Sequence, residues 1–120
     1  MKVVIPVETD TNILCVTFGR APYFLIYDTQ TDTQGLHRNP AASAQGGAGL
    51  KAAQFVVDSK AQALITARLG GNSSEVLKAA GIQIYKSEGL TVKQNIAALK
   101  EGRLSVMENF SSGFRGGRSL

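Results

Sequence analysis

The chain has 120 residues, 43% of them hydrophobic and 18% charged, with one cysteine, one histidine and no tryptophan. That length suits a single domain with a real core, and no apolar run reaches the roughly 18 residues that a membrane helix needs. A lone cysteine excludes an intramolecular disulfide, and Glu8 and Asp10 interrupt the apolar amino terminus before it can read as a secretory signal. A cytoplasmic protein is expected. The formal charge is +4, but residues 103–120 hold three arginines against one glutamate, while 1–102 hold ten basic residues against eight acidic. A body so nearly balanced has little grip on a phosphate backbone, and nucleic acid is not an expected partner.

In chain order, KVVIPV (2–7) reads as a buried strand, with Pro6 placed where no ladder donor is needed. A polar turn follows, and the apolar ILCVTF (13–18) either leads into or forms a second strand. PYFLIYD (22–28) is a strong strand, TQTDTQG (29–35) a hairpin connection, and 36–39 the returning strand, stopped at Asn39-Pro40. From Leu50 the apolar spacing becomes helical and runs to about Lys60. ALITA (63–67) is the next strand, ended by Gly70-Gly71, and Asn72-Ser73-Ser74-Glu75 reads as a helix start with a small polar cap. That helix stops at Gly81, IQIY (82–85) is a strand, and Thr91 caps a third helix that ends at Gly102. A hairpin followed by β-α-β-α predicts a mixed sheet covered by helices, an α/β domain over 1–102. Residues 103–120 read as a flexible basic Gly/Ser/Arg tail on which Met107 and Phe110 can dock. Its FRGGR resembles an RNA-binding arginine–glycine segment, but a single copy fits a solubilising end better.

Two glycine-rich junctions stand at helix mouths: 45–49 before the first helix and 69–73 before the second. Such corners leave backbone N–H groups free to face an anion, or else serve tight turns and close helix–sheet packing; small residues permit both. Neither is a Walker loop or a GxGxxG fingerprint. Arg20, just before the strong strand, either carries a surface charge or offers a planar fork to an anion or to Glu8–Asp10. His37 and Cys15 lack partners at metal-ligand spacing, which excludes a self-contained zinc site. The acids Glu8, Asp10, Asp28 and Asp32 do not supply the converging set that a two-metal nuclease needs, and no Ser-His-Asp or Cys-His arrangement is suggested. A non-enzyme is expected.

FGRAPYFLIYD (18–28), the NPAA…GGAG junction (39–49), ITARLGGNSSEVLKAAGIQIY (65–85) and TVKQNIAALKEG (91–102) together resemble the dinitrogenase iron–molybdenum cofactor biosynthesis family. That family includes nitrogenase accessory proteins of the NifX and NafY type and the C-terminal domain of NifB, and the resemblance runs from Met1 to about Gly102. It implies a ribonuclease-H-like three-layer fold, a five-stranded mixed sheet with its second strand antiparallel. It also implies a non-catalytic protein that binds or carries iron–molybdenum cofactor, a precursor, or another molybdenum, iron or copper–sulfur cluster. A related orange protein holds a molybdenum–copper sulfide cluster without covalent protein ligands. Cluster donor or acceptor proteins are the implied partners. Many relatives place His-Gly-Ala-Gly where this chain has Gly46-Gly47-Ala48-Gly49, which leaves Cys15 and His37 as the soft metal donors. The expected cofactor contacts are Arg20, Asn39, Gly46, Gly47, Gly49, Gly70, Gly71 and Asn72. The competing readings are a small cofactor-free interaction or regulatory module and, third, a ribonuclease-H-like nuclease.

Overall fold

The computed structural model describes residues 1–108. The tail residues 109–120, with Phe110 and FRGGR, lie outside the described residues. The elements are β1 (Lys2–Val7), β2 (Tyr23–Asp28), β3 (Thr33–Arg38), α1 (Ala48–Asp58), β4 (Ala63–Thr66), α2 (Gly71–Ala79), β5 (Gln83–Lys86) and α3 (Val92–Lys100). The sheet runs β3-β2-β1-β4-β5. Strand β2 is antiparallel to both its neighbours, while β1, β4 and β5 run parallel. This is the five-stranded mixed sheet with an antiparallel second strand that the family resemblance implies.

Strands β1 and β4 are continuous apolar runs because both their faces are covered. On one face Val4, Phe24, Leu64 and Ile84 pack with Ala52, Ala53 and Val56 of α1 and Leu77 of α2. On the other, Val3, Ile5, Leu25 and Ile65 share a core with Val92 of α3. The result is a helix–sheet–helix sandwich. Alanines at 52 and 53 let α1 lie close to the sheet, and the Phe24 ring sits 5.4 Å from both Phe18 and Phe55. Pro6 falls beyond the Val3–Val4 stretch of β1 that pairs with β4, so that ladder loses no donor.

Three expectations change. The apolar run 13–18 forms no second strand: it makes single bridges, Leu14 to Val7 and Ile13 to Thr91, and inserts Leu14, Cys15 and Phe18 into the cores as a loop. Strand β3 begins at Thr33, so the hairpin loop is 29–32, closed by Asp32 in the left-handed region (φ 56°) with its N–H donating to the Asp28 carbonyl. The early residues of β3 are polar because the whole strand is exposed and carries no apolar signal. Helix α1 starts at Ala48, two residues earlier than its apolar stripe suggests.

The expected helix ends hold. Gly81 and Gly102 adopt φ of 79° and 70°, the left-handed geometry that closes a helix. Thr91 caps α3 in a full capping box with Gln94. Beyond Gly102 the chain does not leave the domain at once. The Lys86 N–H donates to the Ser105 carbonyl, the Met107 N–H donates to the Ile84 carbonyl, and Met107 is buried in the core beside α2.

Candidate functional site

The site is assembled at the end of the sheet where β4 finishes. Thr66 turns the chain there by donating its hydroxyl to the Arg68 carbonyl at 3.1 Å. Residues 67–70 then lead into α2, whose N-cap is Gly70 in extended conformation (φ −74°, ψ 157°), with no side-chain capping hydrogen bond. From the other side the loop before β2 brings in Thr17, Phe18, Gly19 and Arg20. Together with Ala48 and Gly49 of α1 and with Arg68, Leu69, Gly70 and Ser73, these residues line a cleft of about 440 Å³. That is within the usual range for a small-ligand pocket.

The convergence depends on missing side chains. A Cβ on Gly19 would stand 2.9 Å from the Gly49 nitrogen and 3.0 Å from its Cα, both backbone atoms that cannot yield. A Cβ on Gly49 would lie 2.6 Å from the Ser73 hydroxyl. Two glycines thus let a loop and two helix mouths meet. Asn39 locks the same loop from behind. Its amide donates to the carbonyls of Gly19 (3.0 Å) and Ala21 (2.9 Å), and its side-chain oxygen accepts from the Ala41 N–H. Asn39 is buried and does not line the cleft, so it positions the loop and makes no contact there. Arg20 stays exposed, with one guanidinium nitrogen donating to the Ala42 carbonyl at 3.2 Å.

Of the other expected residues, Gly49 and Gly70 line the cleft. Gly46 and Gly47 do not; both are exposed, and Gly47 is needed for its φ of 68° as the α1 N-cap. Asn72 is exposed in the first turn of α2 and does not cap it, because the helix begins one residue earlier, and neither Asn72 nor Gly71 lines the cleft. The structure also separates the two soft donors. Cys15 sits in the core with its thiol 3.4 Å from the Thr17 hydroxyl, and burial pushes that thiol up, with the Thr17 bond working against the shift and Glu8 adding to it. His37 lies on the exposed β3, its ring 6.1 Å from that of Phe55, beside a different hollow. Among the described residues no group of three His, Cys, Asp or Glu is placed to hold a metal ion.

Among the polar side chains of the cleft, sequence reading passed over Arg68 and Thr17, and held Ser73 only as part of the 69–73 junction. Arg68 sits among the apolar residues of ITARLGG and resembles any strand-end charge; Ser73 looked like part of a helix cap; Thr17 lay in a run that either leads into or forms a strand. Ser73 is only 5% exposed, and its hydroxyl makes no hydrogen bond among the described residues. A buried hydroxyl is normally paired.

A three-layer domain with its cleft at the strand-end side of a 3-2-1-4-5 sheet defines the class. Residues 1–102 match the model of the dinitrogenase iron-molybdenum cofactor family, and the chain belongs to that family. It is similar to the apo form of the orange protein from Desulfovibrio gigas, at 29% identity over 88% of this chain and 92% of that one, with a TM-score of 0.82. It is also similar to a Thermotoga protein provisionally named NifB, of the DUF35 family, at 38% identity over 94% of this chain and 98% of that one (TM-score 0.78). An uncharacterised protein of Methanocaldococcus jannaschii is 27% identical over 111 residues, 90% of this chain and 92% of its own length. No helix among the described residues is long and apolar enough to cross a membrane.

The residues around the cleft suit one kind of ligand better than another. The lining includes two arginines, a threonine, a serine and a helix N-terminus, but no cysteine, histidine or acidic residue. Such a lining fits a preassembled anion held by its periphery, and does not fit a bare metal ion taken up by side-chain ligation.

Proposed function

We propose that this protein binds and carries an anionic metal–sulfur cluster, iron–molybdenum cofactor or a related molybdenum, iron or copper–sulfur species, in the cleft between the 17–20 loop and the starts of α1 and α2, without catalytic turnover. The observation that carries this reading is the meeting of Arg20, Arg68, Gly49 and Gly70 around one cleft of about 440 Å³ that two arginines and no acid line. Membership of a cofactor family supports the cargo class. A carrier must release what it holds, and contacts through peptide N–H groups and guanidinium forks are reversible in a way that direct thiolate ligation is not. In this role Arg20 supplies charge, Asn39 and Gly19 hold the loop, and Cys15 serves the core.

Anaerobic titration of the apoprotein with iron–molybdenum cofactor, or with tetrathiomolybdate plus copper, tests the proposal. Cluster absorbance should co-elute with the protein on gel filtration, and a Cys15→Ala variant should retain it equally. If no colour stays with the protein the carrier reading falls; if colour is lost only in Cys15→Ala, the non-covalent mode falls. The second reading, a cofactor-free interaction module, draws on β3, a strand exposed along all six residues with Leu36 48% exposed. Metal analysis of protein purified without oxygen separates the two.

A further inference from the structure

We infer that β3 is an interface strand, and that a second copy of this chain pairs with it antiparallel about a two-fold axis at Leu36. This pairing stands whether or not the cleft holds a cluster.

The two margins of the sheet are treated differently. Beside β5, the Lys86 N–H and the Ile84 carbonyl are bonded to Ser105 and Met107 of the same chain. Strand β3 ends the sheet on the other side, and all six of its residues are exposed. Open margins in soluble proteins commonly carry a proline, a central lysine or a bulge against foreign strands. Strand β3 has none of these. Its register with β2 is unbroken from Arg38 to Thr33, its one arginine stands at the end, and its middle is Gly35 and Leu36, the latter 48% exposed.

The hydrogen-bond pattern decides which groups are on offer. The Thr29 N–H donates to the Met1 carbonyl, and the Asn39 N–H donates to the Pro22 carbonyl. In the observed registers this commits the odd-numbered residues of β2 to β1 and its even-numbered residues to β3. Thr33, Gly35 and His37 therefore bond inward, while Gln34, Leu36 and Arg38 turn N–H and C=O outward. The run is bounded at both ends, by the Asp32 N–H already given to Asp28 and by Pro40, which has no N–H. Antiparallel pairing that uses all three outward residues has one solution: Leu36 opposite Leu36 of the second copy, and Gln34 opposite Arg38 in both directions.

That register is complementary. Leu36 and Gln34 pair with Leu25 and Tyr27, whose side chains enter the core on the α3 side, so the two Leu36 side chains meet on that face. No like charges stand opposite each other. The Arg38 guanidinium makes no hydrogen bond or ion pair among the described residues. It falls diagonally across from Asp32 of the second copy, a strand-to-strand spacing of about 7–8 Å that a long side chain spans. Asp32 receives both the Tyr27 hydroxyl and the Lys100 ammonium on one oxygen, Oδ1, and its Oδ2 accepts nothing among the described residues. The two-fold axis makes this pair twice. A six-residue strand buries much less than the roughly 800 Å² per partner of a stable complex, so the dimer is weak and reversible. With β5 already covered, growth stops at two.

The test follows the full-length protein by sedimentation velocity and amide NMR as its concentration is raised to about 1 mM. The sedimentation coefficient should rise toward that of a dimer, and the amides of Gln34, Leu36 and Arg38 should shift more than those of Thr33, Gly35 and His37. Leu36→Lys, which sets two ammonium groups face to face at the axis, should weaken association at least tenfold. Arg38→Glu, which turns attraction to Asp32 into repulsion, should weaken it severalfold. Leu50→Lys, which adds the same charge at a similarly exposed position on α1 (46%), should change it less than twofold. All three side chains are exposed, so the variants keep the fold. A protein that stays monomeric at that concentration, shifts confined to other surfaces, or an unaltered dimer in Leu36→Lys would overturn the inference. So would a monomer whose Gln34, Leu36 and Arg38 amides respond only to an added extended peptide, since the margin would then serve a foreign strand.

Discussion

Helices α3 and α2 are each nine residues long and each covers one face of the sheet, yet their first turns are completed differently. At α3 the Thr91 hydroxyl accepts from the Gln94 N–H at 3.0 Å, and the Gln94 side-chain oxygen accepts from the N–H groups of Thr91 and Leu90 at the same distance. At α2 a glycine stands in the cap position, no side chain reaches back, and the buried Ser73 hydroxyl is unpaired among the described residues. One helix start is finished by its own sequence. The other is left open, and it borders a cleft lined by two arginines that have no carboxylate partner among the described residues. A chain able to write a complete capping box in one place leaves the cap position of another helix to a glycine, and the proposed function draws on the second of these starts.

The largest expected effect comes from breaking the approach that creates the open start. Gly19→Ala should destabilise the protein by about 1–3 kcal/mol, since the new methyl meets backbone and the neighbours cannot give way. The melting temperature should fall by roughly 5 °C or more. Thr91→Ala, at the finished helix, should cost about 1 kcal/mol in chemical denaturation. At the open helix the signs differ. Gly70→Ser, which supplies a cap on suitable extended backbone, should raise stability by a few tenths of a kcal/mol while weakening the proposed cluster binding. Ser73→Ala should stay within about 0.5 kcal/mol of wild type, because no hydrogen bond is lost. A loss for Ser73→Ala as large as that for Thr91→Ala would erase the contrast.

The smallest effect belongs to Asp32 at the far end of the sheet. The Tyr27 hydroxyl and, next, the Lys100 ammonium at 3.2 Å hold its carboxyl below the ordinary carboxylate range. A lowered value in the folded state means that this contribution is present above the ordinary carboxylate pKa and is lost as pH falls through the lowered one. Wild type should therefore lose slightly more stability than Asp32→Asn on acidification below about pH 4, measured by thermal melts. Both charges are at the surface, so the difference should shrink in salt.

The order of elements was legible because each apolar run ended in a residue with one strong local meaning. Gly81 and Gly102 have to sit at positive φ, and Thr91 followed three residues later by Gln94 has few other uses. Where the signal served two purposes, reading left the choice open or missed it. The ILCVTF run looks like a strand because Leu14, Cys15 and Phe18 are buried, but a loop can bury the same side chains. Strand β3 begins in polar residues because it faces solvent throughout. Glycine is the sharpest case: Gly47 is there for its backbone angle, Gly19 and Gly49 for close approach, and sequence alone does not tell these from a glycine that bares its amide. Arg20 could be suspected from its place before β2. Arg68 and Ser73 become notable only once the fold puts them against the same loop.

Residues 103–107 lie past the end of the family match, yet they occupy the otherwise open flank of β5 and bury Met107. A chain truncated at Gly102 would keep every helix and strand of the family fold and still bare a row of ladder groups beside Ile82 and Ile84. Exposed sheet margins of that kind recruit other strands, so such a truncation should self-associate into higher-order species where the longer chain does not. The five residues act as a selvedge, keeping the sheet from being extended by its neighbours.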